Sequence, residues 1–362
     1  MNKFVLTITF LLAGFMIQAG PLWMRYPKIS PDGKQIVFSY KGDIYVVSSD
    51  GGEARQLTTH PAHESHPVWS PDGKQIAFTS DRFGNFDIFV MPARGGEARR
   101  VTTNSSREIP YTFTPDGKEI VYGAQLQDPA QSALFPSGSL TELYAIPVEG
   151  GRPRQVLATP AEAVCFSKSG DMFLYHDCKG GENEWRKHHT SSITRDIYRY
   201  DIKSGKHTRL IERAGEDRSP VLSPDRQTVY FLSERGGSFN VYSFPLANPA
   251  DVKVVTSFKT HPVRFLSIAD NGRLCFGYDG EIYVKDVQGN PKKVKVDIIG
   301  DEGKNNVASL RFTSGATSAA VSPDGKQVAM IIRGNVFVTS SDYTTTKQVT
   351  DTPEQEKWLS FA

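Results

Sequence analysis

The chain has 362 residues, 38% of them apolar, and sets 42 basic against 40 acidic side chains for a formal charge of +2. That composition suits one large or two ordinary globular domains and excludes a disordered chain. The near-balance of charge, with no long run of one sign, argues against nucleic acid or an anionic membrane surface as a partner.

In chain order, the first feature is Met1-Asn2-Lys3 followed by the apolar run FVLTITFLLAGFM and then Ile17-Gln18-Ala19. This pattern predicts a secretory signal over residues 1–19, cleaved after Ala19. A run of about 13 residues reaches only about 20 Å as a helix, short of the ~30 Å hydrocarbon core. No second stretch of spanning length follows, so the mature chain is expected to be exported to the periplasm without a membrane span.

From there one phrase returns seven times: ISPDGKQIVFS at Ile29, WSPDGKQIAFTS at Trp69, FTPDGKEIVYG at Phe113, FSKSGDMFLYH at Phe166, LSPDRQTVYFLS at Leu222, LSIADNGRLCFGY at Leu266 and VSPDGKQVAMII at Val321. The step is 40 residues from Ser30 to Ser70 and 44 from Ser70 to Thr114, a period typical of propeller blades. Steps of 53 (Thr114 to Ser167) and 56 (Ser167 to Ser223) indicate insertions.

Each phrase reads as a hairpin corner, because Pro presets φ, Asp caps its own backbone and Gly accepts φ > 0. β-rich runs such as Gln35–Ser39, Asp43–Val47 and Ala54–Thr58 complete a four-stranded unit. Turn residues interrupt every window before a helical period can run, so the expected fold is all-β, a β-propeller of four-stranded antiparallel blades. Phe38, Tyr45, Phe78, Phe89, Tyr122, Tyr144, Tyr175, Tyr230, Tyr242, Phe276 and Tyr283 are expected to pack between blades.

The chain opens on an inner strand, Leu22 to Ile29, and ends on another expected one, Lys357 to Phe361. The stretch Gln288 to Ser314 is irregular and reads as a linker. We therefore expect a six-bladed ring over residues 20–300, then a linker and the first blade of a second propeller over 301–362. One seven-bladed ring is the alternative. Cys165 and Cys178 flank one hairpin at offset registers, too far apart to bridge, and Cys275 lies in another repeat, so three buried free thiols are expected.

Two polar phrases invite chemistry. His60, His63, Glu64 and His66 offer metal-ligand types, but prolines follow two of the histidines and no HExxH helix surrounds them, so no metal site is expected. In the long insertion of the fourth unit, Glu182, Glu184, Trp185, Arg186, Lys187, His188, His189 and Arg195 form the richest polar cluster, beside Ser191 and Ser192. With no G-x-S-x-G elbow, it reads as an ordered loop over one propeller face. If it has a use, Glu184, Trp185, Arg186, His188, His189 and Arg195 are the candidate contacts with a peptide or with a neighbouring domain. No catalytic residue and no cofactor is assigned.

The SPDG corners and RQLT-like phrases resemble the TolB and tricorn class of propellers. The longer phrases PLWMRYPKISPDG, RFGNFDIFVMPARGGEARRVT, ALFPSGSLTELYAIPVEGG, CKGGENEWRKHHTSSITRDIYRYD and GSFNVYSFPL resemble the amino-terminal region of exported tricorn-type serine peptidases of Bacteroidetes-like bacteria. The resemblance runs from about Pro21 to the last residue. It implies a six-bladed propeller followed by a second propeller, a PDZ-like module and a peptidase domain that carries the catalytic residues. Those catalytic residues have no counterpart here. The expected function is a non-catalytic propeller that gates or steers peptides or unfolded polypeptides to that peptidase domain, with homo-oligomers possible in principle. The alternatives are a free-standing TolB-like interaction propeller of the envelope and a prolyl-oligopeptidase-type propeller.

Overall fold

A computed structural model describes residues 21–126, 140–181, 183, 185–299, 313–342, 346–350 and 354–361. The expected signal over residues 1–19 lies outside them, as does Glu184. Every regular element among the described residues is a strand.

The corner phrase folds as its chemistry dictates. Ser30 Oγ donates to Asp32 Oδ1 at 2.6 Å and accepts the Gln35 N–H at 2.9 Å, Asp32 also takes the Lys34 N–H, and Gly33 sits at φ 75°. The same hydroxyl–carboxylate clasp recurs at Ser70, Thr114, Ser223 and Ser322. In the fourth unit the acid has moved two places along, and Ser167 reaches Asp171 at 2.6 Å instead. Each corner thereby joins an inner strand to the second strand of its blade.

Six sheets follow one another, each built of four antiparallel strands in simple meander order, the first carrying one added strand. Their inner strands are Arg25–Ile29, Glu64–Trp69, Ile109–Phe113, Ala161–Phe166, Asp217–Leu222 and Val263–Ile268. Each inner strand neighbours the next, and the first also neighbours the sixth, so the ring is closed. Six buried clusters fill the six seams. Phe38, Tyr45, Cys275 and Ile282 join the sixth blade to the first, and Val37, Ile44, Phe78 and Phe89 join the first to the second. Ile88 and Tyr122, Val121 and Tyr175, Leu174 and Phe231, and Val241 and Phe276 mark the remaining four. Full burial of such side chains stabilises by about 1.5–3 kcal/mol each, so the seams between sheets hold the ring together. The expected aromatic packing and the six-bladed count stand, and the seven-bladed alternative falls.

Closure uses a device that the linker reading missed. Within 288–314, Lys292–Lys293 forms the outer strand of the sixth blade, and Val296–Ile298 runs parallel to Gly52–Gln56 as a fifth strand on the first blade. Gly51 makes this approach possible. Its φ is 96°, and a Cβ there would lie 2.7 Å from the Lys295 carbonyl oxygen.

The described residues divide after Ile299 into two compact units. The second unit is one antiparallel sheet of Ala316–Val321, Gln327–Ile332, Asn335–Ser340 and Thr346–Gln348, with Ile331 buried. The terminal strand expected over 357–361 is not formed: a strand needs a hydrogen-bonded neighbour, and no described segment pairs with it. Trp358 is accordingly 90% exposed.

Candidate functional site

Every inner strand loses register once, midway along its length. The extra residues are Tyr26, His66, Tyr111, Ala163, Ser219 and Phe265, and all but Tyr111 hold φ between 53° and 61°. A β-bulge leaves one residue unpaired and re-aims its side chain. Pro27, Pro67 and Pro220, which have no N–H to leave unpaired, follow three of them. All six bulge residues line one cavity of about 860 Å³ enclosed by the inner strands.

The cavity wall is uneven. Phe265, Tyr26 and His66 form an aromatic arc, with ring centroids 4.7 Å apart for the first two and 3.7 Å for the stacked second pair. Gly123 leaves room for Tyr111, whose hydroxyl would lie 2.5 Å from any Cβ there. On the fourth and fifth blades the bulge residues are the small Ala163 and Ser219. Burial, helped by the charges of Arg107 and Lys28, pushes His66 down to about 3, so its ring is neutral.

Behind the small half lies a buried polar network. Arg195 spans Glu162 at 3.2 Å and Glu216 at 3.1 Å, and His176 Nε2 lies 3.2 Å from the same Glu162 carboxylate. The Ser219 N–H donates to His176 Nδ1 at 3.0 Å, so Nδ1 is an acceptor and Nε2 carries the proton. Burial lowers the His176 pKa and keeps the ring neutral. Burial alone would raise Glu162, but the hydrogen bond from His176 and the Arg195 charge hold it at about 2.

The corner end of the cavity is bordered by Pro31, Pro71, Pro115, Lys168, Pro224 and Asp270. Lys168 and Asp270 stand where the other corners have proline, and they pair with each other at 3.0 Å across the intervening fifth blade.

The loop expected to make contacts does not act as one cluster. Trp185 borders the cavity, between the Arg25 guanidinium at 5.0 Å and that of Arg264 at 4.9 Å, with Phe265 at 5.9 Å. Its carbonyl accepts from Arg264 at 3.1 Å. An insertion of the fourth blade thus reaches residues of the sixth and first. Arg195 belongs to the buried network, whereas Arg186 is exposed and His188 has its ring 67% exposed. The backbone N–H groups of His188 and His189 both donate to the Glu234 carboxylate. His189 is buried, with Nε2 2.5 Å from Ser191 Oγ. These two residues lie two apart on one loop, and Ser191 Oγ also accepts the Ile193 N–H, so the pairing closes a local turn.

The other histidine phrase is dispersed. Glu64 is buried against Arg82, the His63 ring faces Phe86 at 6.1 Å, His60 Nδ1 accepts the Ala62 N–H, and His66 joins the aromatic arc. Among the described residues no group of three or more His, Cys, Asp or Glu is placed to hold a metal ion. All three cysteines are free; Cys178 and Cys275 are buried, but Cys165 is only half-buried because it borders the cavity.

Sequence reasoning missed Tyr26, Lys28, His66, Tyr111, Glu162, His176 and Phe265 as a group. A signal was present: Tyr26, His66, Ala163, Ser219 and Phe265 each stand four residues before the first corner residue, and Tyr111 stands three before.

Among known proteins, the chain is 26% identical over 204 residues to an uncharacterized protein of Agrobacterium fabrum (strain C58), a match covering 52% of this chain and 61% of that one. The chain therefore spans less than two thirds of that curated relative. The crystal structure of the tricorn protease superposes with a TM-score of 0.64 at 20% identity, over 92% of this chain and 32% of that protein. A structure of the putative TolB from Agrobacterium tumefaciens aligns at 21% identity over 75% of this chain and 80% of that one, with a TM-score of 0.34. The model of the tricorn protease N-terminal β-propeller domain matches residues 21–291, and the chain belongs to that family.

Proposed function

We propose that this chain is the non-catalytic propeller region of an exported tricorn-like serine peptidase, where it binds peptides and steers them to a peptidase domain elsewhere in the protein. The observation that carries this reading is the cavity itself: about 860 Å³, ringed by six side chains that repeated backbone bulges turn inward, with a loop of the fourth blade across part of it. Pockets that hold small ligands have volumes of about 300–1,000 Å³, so a few residues of an extended chain fit. On this reading residues 1–19 direct export, 20–300 form the steering ring, and 301–362 open a second propeller. Among the described residues no helix is long and apolar enough to cross a membrane.

The test narrows the cavity from its small half. In the full-length protein, Ala163→Trp and Ser219→Trp should slow hydrolysis of long peptides and leave that of short ones nearly unchanged. An unchanged length profile in both variants, with folding verified by thermal melting, would refute the steering role.

A further inference from the structure

Lys28 differs from every other charged group that borders the cavity. Glu162 has Arg195 and Asp270 has Lys168. Arg218 lies over the Phe239 ring at 4.3 Å, Arg264 over Trp185 at 4.9 Å and Arg107 over Phe86 at 5.2 Å. Lys28 lines the same cavity one bulge step from Tyr26, and its own carbonyl is taken by Trp69 Nε1 at 2.9 Å. Its ammonium has no carboxylate partner among the described residues. The ionisable groups that feel its charge are the thiols of Cys165 and Cys275 and the imidazole of His66. Burial raises both thiols, so neither supplies an anion near neutral pH.

Lys28 is half-buried and burial lowers its pKa from the ordinary 10.5, so holding its charge there without a counter-charge has a cost, which the protein recovers when an anion of matching size arrives. The cavity supplies the rest of a recognition site. The arc of Phe265, Tyr26 and His66 is a curved, largely apolar wall, its Tyr26 and Phe265 rings tilted 57° to each other, beside a single ammonium. One point charge with three donors suits a monoanion, whereas phosphate is met by several donors or a planar guanidinium fork.

We propose that Lys28 anchors a carboxylate-binding site in the propeller cavity, which takes a carboxylate carried on an apolar or aromatic body. This rests on the peptide-steering reading when the carboxylate is an acidic side chain of a peptide, and stands apart from it when the ligand is a free acid.

Calorimetric titration of the chain tests the proposal with four probes. They are an end-blocked pentapeptide with one glutamate between two phenylalanines, its glutamine counterpart, phenylacetate, and inorganic phosphate. The glutamate peptide or phenylacetate should bind, and Lys28→Met should weaken that binding at least ten-fold while Lys28→Arg retains it within a few-fold. The bound carboxylate should raise the melting temperature of the wild type and of Lys28→Arg only. Binding by the peptide alone identifies an acidic side chain as the source, and binding by phenylacetate alone a free acid. Equal binding of the glutamine peptide, equal binding by Lys28→Met, equally tight phosphate, or no binding of either carboxylate would overturn the site. If the site fails but cavity narrowing still changes the length profile of hydrolysis, steering survives without it.

Discussion

Two glutamates at the entry to neighbouring inner strands, Glu108 buried and Glu162 half-buried, titrate in opposite directions. Glu108, 1% exposed just before Ile109–Phe113, is pushed up to about 7 by burial, with one carboxylate oxygen unpartnered and the unpartnered Tyr122 hydroxyl within electrostatic reach. Glu162, in Ala161–Phe166, is held at about 2. The difference lies in what the neighbouring elements deliver: the fourth blade's loop brings Arg195 and its second strand brings His176, while the third blade brings neither to Glu108. One repeat can thus build a clasped carboxylate in one blade and, in the next, one whose burial outweighs the help of Thr102 and the Arg100 charge.

The largest expected effect breaks the clasp. Glu162→Gln leaves part of the buried Arg195 charge uncompensated and should cost about 3 kcal/mol at pH 7, measured by urea denaturation. The pH dependence follows from the signs. Glu162 has a depressed folded-state pKa, so its contribution is present above its ordinary 4.5 and is lost as pH falls toward 2. His176, kept neutral by burial, adds a loss that begins as pH falls through its ordinary 6.5. Melting temperature against pH should therefore fall on the acid side in the wild type and flatten below pH 4.5 in Glu162→Gln.

Glu108 works the other way and sharpens the contrast. Its raised pKa means stability that is present below 4.5 and lost as pH rises through about 7. Glu108→Gln should accordingly gain about 1–2 kcal/mol at pH 8 and almost nothing at pH 4. A variant that is destabilised equally at both values would show that the carboxylate has a partner when ionised. The smallest effect belongs to the pair at the corner end. Lys168 and Asp270 are 57% and 52% exposed, so Lys168→Ala should cost at most about 0.5 kcal/mol, and 0.5 M salt should abolish the difference.

Much of the ring was legible in the chain. Corner chemistry is local, since Ser30, Asp32 and Gln35 lie within six consecutive residues and satisfy one another there, as their counterparts do in four further copies of the phrase. The polar loop of the fourth unit was also legible as a cluster, but its division was not. Arg195 is drawn away from its sequence neighbours by Glu162 and Glu216, 33 and 21 residues distant, while Trp185 meets residues 79 and more positions away. The fifth strand at Val296–Ile298 escaped notice for the same reason: its partner Gly52–Gln56 lies at the other end of the ring, and three residues show no period of their own.

By itself the chain determined the blade, because turn geometry and alternation act over a few residues and repeat. It also marked the bulges, through an offset of four residues before five of the six corners and three before the other. Only the closed ring decided what those bulges surround. Bringing the sixth blade against the first places Phe265, Tyr26 and His66 together and leaves Lys28 in a shared interior, and the cost of an unmatched charge arises only once that interior exists.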